Sequence, residues 1–147
     1  MSGPAQFGLG RLFNYIHIAD SVVVPMKDYG AATVFVYESS AEAVISVERQ
    51  LDGGAAVVIP DLITEYWTSS GAGGVWTRNT QTAADQVTKS SAAAQSLCAI
   101  EIPANFLTHD GGDYNELNVE VDGSAVVSIV LHGLKSMRAP QNLPAIV

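Results

Sequence analysis

The chain has 147 residues and a mass of 15.4 kDa, the size of a single domain. Hydrophobic residues make up 48% of it and charged residues only 15%, so there is enough apolar material for a core, which argues against intrinsic disorder. The formal charge of −8 argues against a protein that wraps or packages nucleic acid, because that task needs a basic face.

The first part of the chain is predicted to be an extended arm followed by β-strands. Residues 1–11 contain three glycines and one proline and show no hydrophobic periodicity. A strand is predicted over Leu12–Ile18. The segment Ala32–Tyr37 (ATVFVY) is apolar on both faces, which is typical of a central or doubly covered strand.

The segment Ala43–Leu51 alternates between apolar and polar residues, which predicts a half-buried strand. Ser46, Glu48 and Gln50 are expected to face outward. The inward side is predicted to hold Ala43, Ile45, Val47 and Leu51. Glycines at 53 and 54 then favour a turn, because glycine readily adopts positive φ angles.

The middle of the chain predicts a short strand, a hairpin and an ambiguous segment. Ala55–Ile59 is a short apolar run closed by a proline. Two β-rich runs, Leu62–Thr68 and Val75–Asn79, flank a loop of Gly, Ser and Ala, which predicts a hairpin that brings Trp67 and Trp76 near each other. Residues 80–95 fit either a short helix or a strand that crosses to another sheet.

The last third predicts more strands and a second arm. Cys98, Ile100 and Ile102 alternate with other residues, and Leu117–Val121 is the clearest half-buried strand, with Val119 inward and Asn118 and Glu120 outward. Asp122 and Gly123 favour a tight turn, after which Ala125–Leu131 is predicted to return antiparallel. Residues 139–147 contain two prolines and an apolar end, which predicts an extended arm.

Together these elements predict an all-β fold, an antiparallel β-sandwich or jelly roll of about eight strands. The predicted organisation is an N-terminal arm over residues 1–11, a β-sandwich domain over 12–138 and a C-terminal arm over 139–147. Prolines at positions 140 and 144 keep the C-terminal arm out of a central strand. We therefore expect its residues Leu143, Pro144, Ile146 and Val147 to bind a partner.

The sequence carries no pattern that identifies a catalytic or metal site. Its three histidines are far apart, and it contains neither a Gly-x-Ser-x-Gly elbow nor a phosphate-binding loop. Asp110, Asp113 and Glu116 crowd one loop, but their spacing does not match a calcium loop, and a solvated acidic loop is the preferred interpretation. We expect no cofactor, no essential metal and no enzymatic activity.

The sequence also indicates the cellular compartment in which the chain is made. Cys98 is the single cysteine, so no intrachain disulfide can form, and its apolar neighbours predict a buried, inert thiol. Residues 1–13 do not resemble a signal peptide, and no apolar run approaches the roughly 20 residues that a membrane helix needs. We therefore expect synthesis in the cytoplasm and no membrane partner.

Three aromatic residues, Tyr66, Trp67 and Trp76, allow two interpretations. They could form a platform on which a sugar stacks. The preferred interpretation makes them core or interface aromatics, because they are among the largest apolar side chains in a chain rich in Ala and Val. Their exposure distinguishes the two.

Three stretches together resemble small β-sandwich structural proteins encoded among the head genes of tailed bacteriophages, with capsid decoration (cement) proteins as the nearest functional label. The resemblance covers roughly the C-terminal half of the chain. It is carried by Tyr66–Thr68 with Gly73–Thr77 (YWT…GGVWT), by Leu117–Leu131, and by Leu131–Pro144 (LHGLKSMRAPQNLP).

This resemblance implies a virion protein that binds the outer face of a capsid and reinforces it. The implied partners are the major capsid protein and further copies of the chain in a symmetric oligomer, without nucleic acid. The family contributes no catalytic residues. The alternative is a β-sandwich module of a phage tail or fibre that binds a carbohydrate or a receptor.

Overall fold

The structure, a computed structural model, describes residues 13–18, 23–123 and 125–134. Within these ranges the chain forms eleven β-strands, a 3-10 turn at Ala93–Gln95 and one short helix, α1. The elements are β1 (Phe13–Ile18), β2 (Val23–Pro25), β3 (Tyr29–Tyr37), β4 (Ala43–Gln50), β5 (Val57–Val58), β6 (Ile63–Ser69), β7 (Thr77–Ala84), β8 (Gln86–Lys89), β9 (Leu97–Pro103), α1 (Asn105–Thr108), β10 (Glu116–Val121) and β11 (Val126–Leu134).

The strands form two antiparallel sheets, which confirms the predicted all-β sandwich. Sheet A has six strands in the order β1-β11-β3-β9-β6-β7. Sheet B has five, in the order β2-β10-β4-β5, with β8 also paired to β4. The strand count exceeds the predicted eight because short β2 and the crossing strand β8 gave no clear periodicity in the sequence.

The core lies between the two sheets and follows the alternation of apolar residues along the strands. In β4 the apolar residues Ala43, Ile45 and Val47 are buried, as predicted, whereas Gln50, which was expected to face outward, is also buried at the end of the strand. The other central strands contribute their own alternating sets. These are Ala32, Val34 and Val36 in β3, Cys98, Ile100 and Ile102 in β9, Leu117, Val119 and Val121 in β10, and Val127, Ile129 and Leu131 in β11.

The predicted inward position of Leu51 is wrong. β4 ends at Gln50, and Leu51 is 41% exposed in a turn where Asp52 and Gly53 have φ angles of 45° and 75°. Because the strand ends one residue before Leu51, Leu51 does not continue the alternation of inward and outward side chains. Arg49 is the last residue of β4 on the inner side, and it is buried.

Two expectations for β10 and β11 also need correction. Asn118 is buried, not exposed, because β10 lies between β2 and β4, and its Nδ2 donates a hydrogen bond to Glu48 Oε2 at 2.8 Å. The predicted turn at Asp122-Gly123 is present, with φ of 110° at Gly123. However, β11 does not pair with β10. The chain crosses there from sheet B to sheet A.

Of the two alternatives predicted for segment 80–95, a short helix or a strand that crosses to another sheet, the crossing strand is correct, and a 3-10 turn follows it at Ala93–Gln95. β7 continues to Ala84 in sheet A, and β8 then pairs with β4 in sheet B, with Val87 opposite Ile45 and Lys89 opposite Ala43. Val87 and Lys89 are buried. The Lys89 Nζ donates hydrogen bonds to the carbonyl oxygens of Ala41 at 2.7 Å and Ser90 at 2.9 Å.

Arg49 connects sheet B to the loop after α1. Its Nη1 and Nη2 donate to Asp110 Oδ1 and Oδ2 at 2.7 and 2.6 Å, and Nη1 also donates to the Leu107 carbonyl at 2.9 Å. The guanidinium lies 4.3 Å from the centre of the Tyr114 ring. A paired carboxylate and an aromatic face together stabilise this buried charge.

The Arg49–Asp110 ion pair predicts a loss of stability in acid. Hydrogen bonds from Arg49 lower the pKa of Asp110 from 3.8 to about 2, although its partial desolvation acts in the opposite direction. Because the folded-state pKa is depressed, this stabilisation is complete above about pH 4 and disappears as the pH falls towards 2. We expect D110N to have a shallower fall in stability over that range, measured by urea unfolding at several pH values. D113N is the control for removing one negative charge from the same loop, and equal slopes for D110N and wild type would contradict the prediction.

The predicted domain boundaries are only partly covered by the structure. All eleven described strands fall inside the predicted domain, residues 12–138. The two predicted arms, residues 1–11 and 139–147, lie outside the described residues.

Candidate interaction surface

The outer face of sheet A carries a row of aromatic residues. Side chains alternate along a strand, so the residues between the core positions of β3, β9 and β6 face away from sheet B. Phe35 pairs with Ala99, and Ala99 pairs with Trp67, so these three lie side by side on that outer face. Three adjacent strands, β3, β9 and β6, supply these residues, and Ala99 separates the two aromatic rings.

The predicted hairpin of β6 and β7 adds Trp76 to this row. Trp67 pairs with Arg78 and Thr68 with Thr77, which confirms the hairpin. Its loop turns at Gly71 and Gly73, whose φ angles are 100° and 78°. The loop places Trp76 against Phe35, with ring centroids 6.2 Å apart and an angle of 53° between the rings. Trp76 directly precedes β7, and both β9 and β6 lie between β3 and β7, so the loop folds back over the sheet to bring Trp76 to Phe35.

The result is an exposed apolar surface at one end of sheet A. Val126 pairs with Tyr37, and Tyr37 pairs with Leu97 on its other side. Val75 is 82% exposed and Trp76 46% exposed. We name this surface the outer apolar patch and define it by Phe35, Tyr37, Val75, Trp76, Leu97 and Val126. Grouped apolar side chains of this kind on a soluble fold mark a binding surface more often than single ones do.

The three aromatics considered for sugar stacking do not share one face. Tyr66 packs against the core between the sheets. Trp67, the next residue, faces the other way, as alternation along a strand requires. Trp76 is tilted against Phe35. A flat platform of Tyr66, Trp67 and Trp76 is therefore absent, and Trp67 and Trp76 belong to the outer side of sheet A.

A cleft beside Trp67 lies towards the other end of β9 from the outer apolar patch, because Glu101 and Pro103 line it and Leu97 does not. Its volume is about 200 Å³, and Glu65, Glu101 and Phe106 also line it. Glu65 accepts hydrogen bonds from Arg78 across the β6–β7 hairpin. The cleft thus combines one indole ring with two carboxylates on an open face of the sheet.

His132 occupies a polar position near the end of β11. Its Nε2 lies 3.1 Å from Thr33 Oγ1 and 3.7 Å from Glu101 Oε1. One neutral hydroxyl and one carboxylate give this histidine local partners on the outer face. Thr33 and Glu101 both face Nε2, so neither orients the ring through its other nitrogen, as the third group of a catalytic triad does.

Two of the three carboxylates considered as a calcium site bind other groups of the protein. Asp110 binds Arg49, and Glu116 Oε2 accepts a hydrogen bond from the Gly53 backbone N–H at 3.0 Å. In the part of the chain that the structure describes, no three His, Cys, Asp or Glu side chains are placed to hold a metal ion. The ion pair explains why Asp110 lies where it does without a cation.

Cys98 is fully buried in β9, as predicted. Burial raises the pKa of its thiol to about 12, with a smaller opposing effect from the Lys89 charge. A thiolate is the reactive form, so we expect no measurable modification of the folded protein by a thiol reagent at pH 8 and full modification in denaturant. Mass spectrometry measures both, and rapid labelling of the native chain would contradict the assignment.

The predicted partner-binding residues Leu143, Pro144, Ile146 and Val147 lie outside the described residues. The outer apolar patch was missed by the sequence analysis, although a signal for it was available. Tyr37 ends the run ATVFVY, which is apolar on both faces, and Val126 precedes the buried Val127 of β11. An apolar residue on the outward side of a half-buried strand is the pattern that could have identified them.

Comparison with known proteins gives a similarity of fold. No family model matches the chain, and no curated protein sequence matches it. Among solved structures, it is similar to the crystal structure of SPBc2 prophage-derived protein YomS, with 8% sequence identity and a TM-score of 0.46 over 81% of this chain and 91% of that chain. No helix in the described part of the chain is long and apolar enough to cross a membrane. A similarity at this level of identity and TM-score does not bear on function.

Proposed function

We propose that this chain is a structural protein of a bacteriophage virion, a capsid decoration protein that binds the outer surface of the head and reinforces it. The outer apolar patch is the observation that supports this function. It is a surface of exposed and half-buried apolar side chains on sheet A and on the β6–β7 loop, which suits contact with another protein better than it suits chemistry on a small molecule.

The location on the capsid exterior is supported by the charge of the chain. The partners, the site of synthesis and the lack of enzymatic activity are supported by the sequence and by its resemblance to phage head proteins. A protein with a formal charge of −8 is repelled by packaged DNA, which favours the exterior of the shell. The partners are the major capsid protein and further copies of the chain. The protein is made in the host cytoplasm and is not an enzyme.

The test removes the proposed contact residues and measures capsid binding. Deletion of Pro140–Val147 is expected to weaken retention on capsids at least tenfold, about 1.4 kcal/mol, in a co-sedimentation assay. Calorimetry of the same variant is expected to give a melting temperature close to that of the full chain, because two prolines keep this segment out of a central strand.

A matched pair of variants within the same segment controls for length. Leu143→Ser with Ile146→Ser removes apolar contacts, whereas Gln141→Ser with Asn142→Ser changes two polar neighbours. The proposal expects only the first pair to reduce retention. Full binding by the deletion variant would remove Leu143, Pro144, Ile146 and Val147 from the capsid contact, and no binding of the intact chain to capsids would overturn the decoration function itself.

The second candidate function is a carbohydrate- or receptor-binding module of a phage tail or fibre. The cleft beside Trp67 favours it, because an indole ring next to carboxylates is a combination that binds sugars. Titration calorimetry with bacterial surface polysaccharide fragments tests it, with Trp67→Ala as the variant expected to lose binding. Absence of heat with every fragment would leave the decoration function as the better proposal.

A further inference from the structure

The outer apolar patch lies at one end of sheet A, and the described residues next to the two terminal segments, Phe13 and Leu134, lie at the other. Val126, the first residue of β11, pairs with Tyr37 inside the patch. At the other end of the strand, Leu134 pairs with Tyr29, and Phe13 of β1 pairs with His132. β11 has nine residues and is about 26 Å long at about 3.3 Å per residue. The sequence outside β1 and β11, residues 1–12 and 135–147, therefore begins at the end remote from the patch.

The acidic and basic residues are also divided unequally between residues 13–134 and the two terminal segments. All 15 acidic residues lie between positions 13 and 134, whereas three of the 7 basic residues, Arg11, Lys135 and Arg138, lie in the terminal segments. Of the −8 formal charge, residues 13–134 contribute −11 and the two terminal segments together +3. Opposite charges on the two parts favour contact between the terminal segment of one molecule and the body of another.

The chemistry of the C-terminal segment matches the outer apolar patch. Residues 139–147 contain Leu143, Ile146 and Val147, two prolines and no charged side chain. Proline limits the conformations available to the free segment, so less entropy is lost when it binds in an extended form. Aromatic rings such as Trp76 and Tyr37 are the surfaces on which proline-containing extended segments commonly bind.

The position of Leu143 favours the patch of a second molecule over its own. Leu143 follows Leu134 by nine residues, which span about 30 Å when fully extended. To reach the patch of the same molecule, the chain would have to reverse direction. A β-turn uses about four residues. For Leu143 the remaining five residues cover about 17 Å, short of the 26 Å along β11, whereas Ile146 and Val147, further along the chain, reach about 26 and 30 Å. A second molecule placed beyond the end of β11 requires no reversal.

We propose that the outer apolar patch of one molecule binds residues 139–147 of a second copy, so that molecules associate head to tail along sheet A. The inference goes beyond the proposed function, because it requires no capsid. A contact of this type joins two different surfaces of the same protein. Repeated, it either closes into a ring or continues as a chain of molecules.

Sedimentation equilibrium of the full chain tests the contact with variants of the patch and with variants of the C-terminal segment. The intact protein is expected to self-associate, and Val75→Ser and Trp76→Ser are each expected to raise the dissociation constant at least tenfold. Leu143→Ser combined with Ile146→Ser is expected to have the same effect. The matched control is Val58→Ser, because Val58 is 48% exposed on β5 of sheet B, close to the exposure of Trp76.

A mixing experiment distinguishes this head-to-tail contact from a contact in which both molecules use the same surface. Trp76→Ser offers an intact C-terminal segment, and the Leu143→Ser, Ile146→Ser variant offers an intact patch. A mixture of the two is expected to form dimers and nothing larger, because each dimer keeps one damaged segment and one damaged patch. Doubling the salt concentration is expected to weaken the dimer, since the charges are complementary.

Three results would overturn the proposal. A monomeric intact chain at all concentrations would exclude the contact, as would equal weakening by Val58→Ser and Val75→Ser. Absence of dimers in the mixture, with both variants folded by circular dichroism, would show that the patch and the C-terminal segment do not bind each other. None of these outcomes depends on capsid binding, so the decoration function and this contact can fail separately.

Discussion

Val119→Asp is expected to unfold the domain. Val119 is fully buried in β10 at the centre of sheet B, opposite Val47 of β4. A carboxylate there would be buried without a partner, a loss of at least about 3 kcal/mol. Domains of this size are typically stable by only about 5–15 kcal/mol. Urea unfolding followed by circular dichroism measures the change.

The neighbouring residue supplies the control. Glu120 is exposed on the same strand, and Glu120→Lys is expected to change the free energy of unfolding by less than about 1 kcal/mol. Comparable losses from Val119→Asp and Glu120→Lys would mean that the assigned register of β10 is wrong by one residue.

Lys89→Glu is expected to have an effect of similar size for a different reason. The Lys89 side chain is fully buried, and its ammonium group donates to the carbonyl oxygens of Ala41 and Ser90. A glutamate would place a carboxylate against these two acceptors. It would therefore lose both hydrogen bonds and add repulsion, at about 3–5 kcal/mol.

Thr88→Glu is the matched control, because Thr88 is the preceding residue of β8 and is exposed. We expect a change below about 1 kcal/mol there. Chemical denaturation of both variants therefore tests whether β8 turns Lys89 towards the core. Equal stability of Lys89→Glu and wild type would show that Lys89 does not lie inside.

The parts of the fold that could be predicted from the sequence are those in which burial alternates along one strand. β4, β9, β10 and the hairpin of β6 and β7 belong to this group. The sequence could not show which sheet a strand joins, because that depends on partners far away in the chain. Ala125–Leu131 illustrates this, since its turn was predicted correctly and its pairing was not.

Polar residues inside the fold were harder to anticipate. Arg49, Lys89 and Asn118 are all buried, and each has a partner supplied by a distant or adjacent loop or strand. A long charged side chain in a strand is outward-facing by default, so only the position of its partner reveals the exception. The outer apolar patch escaped prediction for the related reason that Val75 and Trp76 come from a loop that folds over the sheet.

Because of where its tryptophans lie, the intrinsic fluorescence of the protein reports on the outer face of sheet A. The chain has two, Trp67 and Trp76, and both lie on the outer side of sheet A, with Trp76 partly in water. Indole emission should therefore follow the solvation of that face and not the packing between the sheets. Covering the face would shift emission to shorter wavelengths while the far-ultraviolet circular dichroism stays constant. Tyr66 and Tyr114, which pack against the core, would respond only when the sandwich itself opens.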